Sequence, residues 1–465
     1  MRRRHDLPLA LIVLSALLPL GGCAADPEDE APPVAAVTPA PAATPGAVPG
    51  ARVPAEGFLA YDPAEIERGR LDPAWRAAAE RDLAQRRQQT AQPSAPQPLP
   101  ADRGPSGATA GAASGATEGA PPIDRMKTSA AAPSPPPGAS ATPTPAARQA
   151  GGAESFETMT PESFAAAPAL PIGGGKAAGP TVLRLQRLLD RARFSPGALD
   201  GHWGKNTEKA VFWLQAALGR ETTGIVDADL YQRLVAAAGN DQPLRAHTLT
   251  AEDLAGPFVE IPEEPAQQAD LECMCHSSTA ERLAERFHTT RDVLEQLNPG
   301  VDFERLAAGA TVQVPDVEVI AKDSRPLDRV ARLVISKSGW YLHAEDAQGE
   351  VLFHFPITIG SSYDPSPEGE LSVTGIAYDP DFHYQPKLFA DVPDDEPEHL
   401  LPPGPNSPVG LVWMALSREN FGIHGTAEPQ TIGYTSSHGC IRMTNWDAVF
   451  LANHIKAGLP VSFVE

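Results

Sequence analysis

Cysteine, long apolar runs and clustered positive charge are all scarce in this 465-residue sequence. Four cysteines in a chain of this length exclude a small, disulfide-dense scaffold. The apolar run at residues 7–20 is shorter than the ~20 residues that a membrane-spanning helix requires. The only basic run is residues 2–4, and the formal net charge is −22. Such a chain repels phosphate backbones, so nucleic acid is excluded as a partner.

The N-terminal segment has a cationic start, the apolar run at 7–20 and small residues after it. This order is typical of a secretory signal, which we predict over residues 1–22. The string LGGC at residues 20–23 resembles the bacterial lipobox, which implies that the thiol of Cys23 is diacylglycerated. Because Ala24 follows, similarity to lipoprotein sorting signals implies an anchor on the periplasmic side of a Gram-negative outer membrane. A short transmembrane anchor is the alternative.

Half of the 50 prolines fall within residues 24–170, where Ala, Pro, Thr, Ser and Gly dominate. Such a composition cannot bury enough apolar surface to offset the entropy of ordering the chain. It predicts a disordered, Pro/Ala-rich tether over residues 23–172. Residues 72–89, rich in Ala, Arg and Leu, interrupt this composition and predict a solvated helix.

Three cysteines remain once Cys23 is set aside, and an odd number leaves at least one thiol unpaired. A disulfide between Cys273 and Cys275 would leave Cys440 free. An equal alternative is that Cys273 and Cys275 are two solvent-facing thiols. A metal site there is disfavoured because no second ligand pair stands at zinc-site spacing. Nothing in the sequence implies a cofactor.

Two modules precede the C-terminal region. Helical periodicity and glycine turns over residues 173–240 predict a small all-α bundle. Its strings ALDGHWGKNTEKAV (198–211) and TTGIVDADLYQRL (222–234) resemble a peptidoglycan-binding domain. Residues 246–317 predict two short helices, an Asn-Pro-Gly stop and a β-rich end. They resemble a LysM-like α+β module, although a long insertion at about 255–276 departs from that pattern and makes a structural spacer the alternative.

Residues 327–465 alternate apolar and polar runs and predict a mainly β domain, whose chemistry lies in GIHGTAEPQTIGYTSSHGCIRMTNWDA (422–448). A thiol needs a base to become a good nucleophile at neutral pH. His438 and His424 are the candidate bases for Cys440, and glycines beside them allow backbone N–H groups to converge on an oxyanion. The alternative is a buried cysteine with two core histidines.

The strings IHGT, HGC and CIRM, together with the rest of the tail, resemble the L,D-transpeptidase (YkuD-type) catalytic domain. The resemblance implies that Cys440 is the nucleophile and that His424 donates and accepts the proton. It also implies that the carbonyl of Gly425 orients the imidazole and that His438 lies beside the nucleophile. Substrate-binding roles are implied for Arg442, Ser437 and Gly439, with a surface ion pair as the alternative for Arg442.

Carried over, the family's reaction is attack on the third residue of a tetrapeptide stem, release of D-alanine and formation of a 3-3 cross-link. Water as acceptor would make an L,D-carboxypeptidase, and a protein lysine would make an anchoring enzyme. A non-catalytic murein-binding lipoprotein and a cysteine protease are the rivals. The expected partners are peptidoglycan and, through the lipid, a membrane. We also expect residues 318–465 to fold and act by themselves on a soluble tetrapeptide.

Overall fold

The computed structural model describes residues 72–91, 122–128, 159–173, 178–322, 329–388, 392–393 and 395–465. The predicted signal, Cys23 and most of the predicted tether lie outside these ranges. Within them, no helix is long and apolar enough to cross a membrane. The α-helices are α1 (Ala74–Ala91), α2 (Pro122–Thr128), α3 (Pro180–Arg191), α4 (Lys205–Ala217), α5 (Ala228–Ala238), α6 (Pro265–Ala269), α7 (Thr279–Arg286), α8 (Arg291–Leu297) and α9 (Asn445–His454).

The C-terminal domain is built on an eight-stranded sheet in the order β11-β10-β9-β6-β12-β3-β4-β5. Pairing is antiparallel except for two parallel pairs, β10 with β11 and β12 with β3. The alternating sequence pattern therefore predicted the β-rich class correctly. The strands are β3 (Arg332–Ser336), β4 (Tyr341–Glu345), β5 (Val351–Pro356), β6 (Gly369–Tyr378), β7 (Phe382–Tyr384), β8 (His399–Leu401), β9 (Val412–Leu416), β10 (Gly422–His424), β11 (Ile441–Arg442) and β12 (Pro460–Val464).

Every residue of β4 and β5 is buried, so neither face of this hairpin meets solvent. One face packs on α9, where Phe353 and Phe355 meet Phe450. The turn between the strands is closed by the carboxylate of Asp346, which accepts from the N–H of Gln348. A sheet covered on both faces needs a second layer, and the helical module supplies it.

The helical module packs α3, α4 and α5 around the apolar side chains that their periodicity predicts, including Leu185, Val211 and Leu214. Asp227 caps α5 by accepting from the N–H of Leu230, and Gly239 ends the helix at a φ of 81°. That left-handed conformation has a low conformational energy only for a residue without a Cβ. The predicted all-α bundle is confirmed.

A β-α-α-β unit follows, in which β1 (Leu244–Thr248) pairs antiparallel with β2 (Thr311–Pro315). Helices α7 and α8 lie between the strands, and each starts at a hydroxyl cap, Ser278 and Thr290. The two predicted helices and the β-rich end are present. The insertion carries α6 and a disulfide between Cys273 and Cys275. Of the two alternatives for these cysteines, the disulfide is therefore the one that the structure has.

The prediction that residues 72–89 form a solvated helix is wrong. The prediction that residues 23–172 are disordered throughout is also wrong. Helix α1 buries Trp75 and Ala79 against the helical module. Its Asp82 accepts a 2.7 Å hydrogen bond from Tyr341 Oη, and Arg86 pairs with Glu345. Helix α2 buries Ile123 in the same core. Composition could not show that these helices are buried, because the surfaces that cover them lie far away in the sequence.

The two modules are packed on the C-terminal domain. The N–H of Ser195 donates to His354 O at 2.9 Å, which continues the edge of β5 into the helical module. Lys209, fully buried on α4, donates to Trp340 O at 2.9 Å. On the other side, Asn406 donates to the carbonyl of Cys275 at 3.0 Å. The main core of the C-terminal domain lies within 318–465, and Tyr341 and Val351 of its β4–β5 hairpin belong to the core of the helical module.

Candidate active site

Strands β10 and β11 bring the two ends of the predicted motif together. In their parallel register Ile423 faces Ile441 and His424 faces Arg442. Both isoleucines are buried in the core of the domain. Since side chains alternate along a strand, His424 and Arg442 point to the opposite face, which Cys440 shares as the residue just before β11. The nucleophile candidate and its candidate base thus lie on one face of adjoining strands.

His424 is held in one orientation. Its side chain is 4% exposed, and Nδ1 lies 2.7 Å from Gly425 O. A carbonyl only accepts, so Nδ1 carries the hydrogen and Nε2 keeps a free lone pair. Burial and the charge of Arg442 lower the pKa of His424 to about 3, against a smaller raising effect of the Gly425 hydrogen bond. The imidazole is therefore neutral at pH 7 and able to accept a proton.

The indole of Trp413 on β9 forms one wall of this site. Its ring stacks on the imidazole of His424 at a centroid distance of 5.4 Å and an angle of 24°. Trp413 is the register partner of His424 across β9 and β10. A side chain on Gly422 would lie 2.5 Å from the indole, so glycine there makes room for it.

Cys440 is the free cysteine of the described residues, and it is partly exposed. Burial raises the pKa of its thiol, and the Gly422 backbone and Arg442 act in the lowering direction. Its Sγ lies 3.7 Å from Asn420 O, a weak contact for a thiol. The resting pair is thus a thiol beside a neutral imidazole, and a base must remove the proton as the thiol attacks.

The turn before Cys440 is fixed by its own hydroxyl groups. Ser437 Oγ donates to Cys440 O at 2.6 Å and accepts from the N–H of Gly439 at 3.3 Å. Ser366 Oγ donates to Gly439 O at 2.8 Å. Gly439 has a φ of 106° and a Cβ there would lie 2.9 Å from the ring of Phe421. Glycine is required at this position for both reasons.

These contacts give two of the residues expected to bind substrate a structural role in the turn. Ser437 is buried, and its hydroxyl is already engaged inside the turn. The N–H of Gly439 is likewise directed at Ser437 and not at the cleft. Both residues shape the turn that presents Cys440. Sequence could not separate shaping from binding because the two roles use the same polar groups.

The remaining predicted residues lie close by. Arg442 is partly buried, and no carboxylate of the described residues forms an ion pair with its guanidinium, which leaves the surface ion-pair alternative unsupported. Its backbone pairs with Thr358 at 2.9 Å and 3.0 Å. His438 is partly exposed in the turn that ends at Cys440. Among the described residues, no group of three His, Cys, Asp or Glu side chains could hold a metal ion.

Sequence reasoning missed Asn445, the first residue of α9. Its side chain is 1% exposed, and its Oδ1 accepts from the N–H of Leu411 at 3.1 Å. A Cβ on either Gly410 or Gly425 would lie 2.0 Å from that oxygen. Asn445 therefore fits between the two glycines, against the residue whose carbonyl orients His424. Asn445 lies within the motif at 422–448, but no step of the expected reaction requires an amide side chain at that position.

Two family models match this chain. The family model of the L,D-transpeptidase catalytic domain, YkuD, matches residues 330–462. The model of a peptidoglycan binding domain matches residues 178–234. Among solved structures, L,D-transpeptidase 3 from Mycobacterium tuberculosis matches 35% of this chain and 77% of its own chain, at 18% identity and a TM-score of 0.25.

Two relatives extend the comparison. A Bacillus licheniformis protein named as an L,D-transpeptidase, YkuD, is 30% identical over 184 residues, which cover 40% of this chain and 92% of that protein. A Salmonella typhimurium protein named "Probable L,D-transpeptidase ErfK/SrfK" is 28% identical over 190 residues, which cover 40% of this chain and 59% of that protein. The chain belongs to the L,D-transpeptidase family, as a multidomain enzyme with a helical peptidoglycan-binding region ahead of a mainly β catalytic domain.

Proposed function

We propose that this peptidoglycan L,D-transpeptidase works by cysteine acyl transfer on tetrapeptide stems, with Cys440 as the nucleophile and His424 as the base. The observation that supports this most is the parallel pairing of β10 with β11. It places a neutral, carbonyl-oriented imidazole on the strand beside a partly exposed thiol. Thiol, base and orienting acceptor are the parts that acyl transfer needs.

In the first half-reaction His424 removes the thiol proton as Cys440 attacks the carbonyl of the third stem residue. Backbone N–H groups of the turn ending at Cys440, including that of His438, stabilise the oxyanion. The protonated imidazole then gives its proton to the departing amine of D-alanine. A thioester on Cys440 results, and the Gly425 carbonyl keeps the imidazole aligned through both transfers.

In the second half-reaction an amine of a neighbouring stem attacks the thioester, with His424 again as base, and a 3-3 cross-link forms. Water in that position would give an L,D-carboxypeptidase product, and a lysine of a protein would give an anchored protein. We assign Arg442 to the substrate carboxylate, because its guanidinium shares the face of Cys440 and a planar fork binds a carboxylate in bidentate fashion.

The rest of the chain is proposed to hold this enzyme at its substrate. The domain boundaries are those the sequence gives: a signal at 1–22, a wall-binding bundle at 173–240, a LysM-like module at 246–317 and the catalytic domain at 327–465. The antiparallel β1–β2 pair with two helices between supports a LysM-like unit. Lipidation at Cys23 would place the protein on the periplasmic side of an outer membrane.

The test is mass spectrometry of the purified protein with a soluble disaccharide-tetrapeptide. We expect free D-alanine, a cross-linked dimer and an acyl adduct that peptide mapping places on Cys440. A carbapenem should acylate the same cysteine through opening of its β-lactam ring. Release of D-alanine without dimer would identify water as acceptor. If neither an acyl adduct nor D-alanine release were observed, the enzymatic proposal would be contradicted. A non-catalytic murein-binding lipoprotein would then be favoured.

A further inference from the structure

One carboxylate of the β-α-α-β unit reaches the catalytic domain next to the active site. Glu285 on α7 accepts a 2.8 Å hydrogen bond through Oε2 from Nδ2 of Asn445, a residue 160 positions later in the sequence. The Glu285 side chain is 16% exposed, and its Oε1 lies 3.4 Å from Nε2 of His276. The carboxylate is thus held from both sides at the junction of the two domains.

This contact decides which way the Asn445 amide faces. A carboxylate can only accept, so the NH₂ group must point to Glu285, and its second hydrogen goes to Pro405 O at 3.1 Å. The carbonyl end is then directed at the N–H of Leu411 at 3.1 Å. Three hydrogen bonds fix the orientation of a side chain that could otherwise rotate by half a turn.

The fixed amide in turn supports the residue that orients His424. Its Oδ1 occupies the space where a Cβ of Gly425 would lie, 2.0 Å away. The N–H of Gly425 donates to Val412 O at 3.3 Å, and its carbonyl accepts from His424 Nδ1 at 2.7 Å. Movement of the amide would therefore move the carbonyl that sets the direction of the imidazole.

We propose that Glu285 is a positioning residue for His424, acting through Asn445 and Gly425. The β-α-α-β unit then contributes to catalysis itself, independently of any binding to the wall. This proposal rests on the role given above to His424. Loss of the carboxylate frees the Asn445 amide and lets Nε2 of His424 drift from the line of proton transfer, where an offset of an ångström is costly.

The experiment compares turnover of a soluble tetrapeptide by the full chain and its Glu285→Ala and Glu285→Gln variants. We expect Glu285→Ala to lower kcat roughly 10-fold with KM changed less than about 2-fold. Glu285→Gln retains an acceptor oxygen and should keep kcat within about 2-fold of wild type. The matched control is Glu295→Ala, which removes a 46% exposed carboxylate paired with Arg291 on α8.

A double-mutant cycle tests the route through Asn445. If the effect passes through that amide, adding Glu285→Ala to Asn445→Ala should change kcat no further. Additive losses would overturn the proposal, and so would wild-type kcat in Glu285→Ala or equal loss in Glu285→Gln. If the alanine variant does not fold, Glu285→Asp, one methylene too short, takes its place with the same expectation. Full activity of Cys440→Ser would instead remove the proposed function.

Discussion

The catalytic turn and the interface between the helical module and the β4–β5 hairpin are built in different ways. In the turn, His424 bonds to the next residue and Ser437 bonds to a residue three positions on. Across the interface, Lys209 reaches a residue 131 positions away and Tyr341 reaches one 259 positions away. Contacts between residues close in the chain produce a recognisable sequence motif. Contacts between distant residues produce no such motif.

The interface is nevertheless as buried as the catalytic centre. Trp213 on α4 lies edge-on to Tyr341 at 5.1 Å and to His343 at 4.4 Å between ring centroids. Burial lowers the pKa of Lys209 and of His343 well below their ordinary values. Such groups are kept only where their polar atoms find partners, so the surface of β4 and β5 is adapted to the helical module. The β4–β5 hairpin of the catalytic domain is thus covered by residues from outside that domain.

The largest effect should come from the nucleophile. Cys440→Ser is expected to lower turnover of a soluble tetrapeptide by at least about 10³-fold, since a hydroxyl is a far weaker nucleophile beside a neutral imidazole. Binding to intact sacculi should stay unchanged, because the peptidoglycan-binding domain is untouched. D-alanine release and a sacculus pull-down measure the two properties. Wild-type turnover in this variant would remove the assignment.

The next effect separates the two histidines. His424→Ala should lower kcat by roughly 10²- to 10⁴-fold, the range of general acid–base catalysis. His438→Ala should cost less than about 10-fold, since its expected contribution is through the backbone. Steady-state kinetics of both variants decide the matter. A larger loss of kcat in His438→Ala than in His424→Ala would mean that His438, and not His424, is the base.

A third prediction addresses the interface. Trp213→Ala should lower the free energy of unfolding by about 3–5 kcal/mol, because it leaves a large cavity against the catalytic domain. Unfolding of the two regions should remain a single transition, followed by near-UV circular dichroism and by activity together. Ile225→Ala, at a largely exposed apolar side chain of the same module, is the matched control.

Fragment 318–465 extends the same test. It lacks the residues that cover β4 and β5, so we now expect it to be much less stable than the whole chain. A fragment with wild-type stability and activity on the soluble tetrapeptide would show that the shared core is dispensable.

The smallest effect concerns pH. Burial raises the pKa of Asp447 to about 7, and Asp190 adds to this, while hydrogen bonds from Ser195 and Thr444 and the charge of His288 oppose it. Between about pH 4 and 7 the folded protein keeps a proton that the unfolded chain has released. The contribution of Asp447 to the free energy of unfolding therefore falls as pH rises through that window, by up to about 1.4 kcal/mol per pH unit.

Asp447→Asn removes this titration, so its free energy of unfolding should decline less steeply from pH 4.5 to 7 than that of wild type. Urea unfolding at several pH values measures the slopes. Asp292→Asn, at an exposed position on α8, should follow the wild-type slope. Parallel curves for wild type and Asp447→Asn would show that the buried carboxyl does not titrate in this range.

Sequence reasoning reached the central site because each part of it has a chemical requirement of its own. A thiol needs a base, and the short strings around Cys440 and His424 supply both. It assigned Ser437 to substrate, since polarity alone does not say whether a hydroxyl faces a cleft or its own backbone. It read α1 as a solvated helix because the covering residues, Tyr341 and Glu345, follow more than 250 positions later.

The sequence by itself determined the β-rich class of the C-terminal domain and the helical bundle before it, and it singled out Cys440 and His424 as the proposed nucleophile and base. Each of these depends on periodicity or on residues close together in the chain. Only the tertiary structure decided that the β4–β5 hairpin packs into the core of the helical module, and that Glu285 and Ser195 reach the start of α9 beside the active site. Contacts of this kind arise when distant surfaces fit each other, and no local pattern of residues encodes that fit.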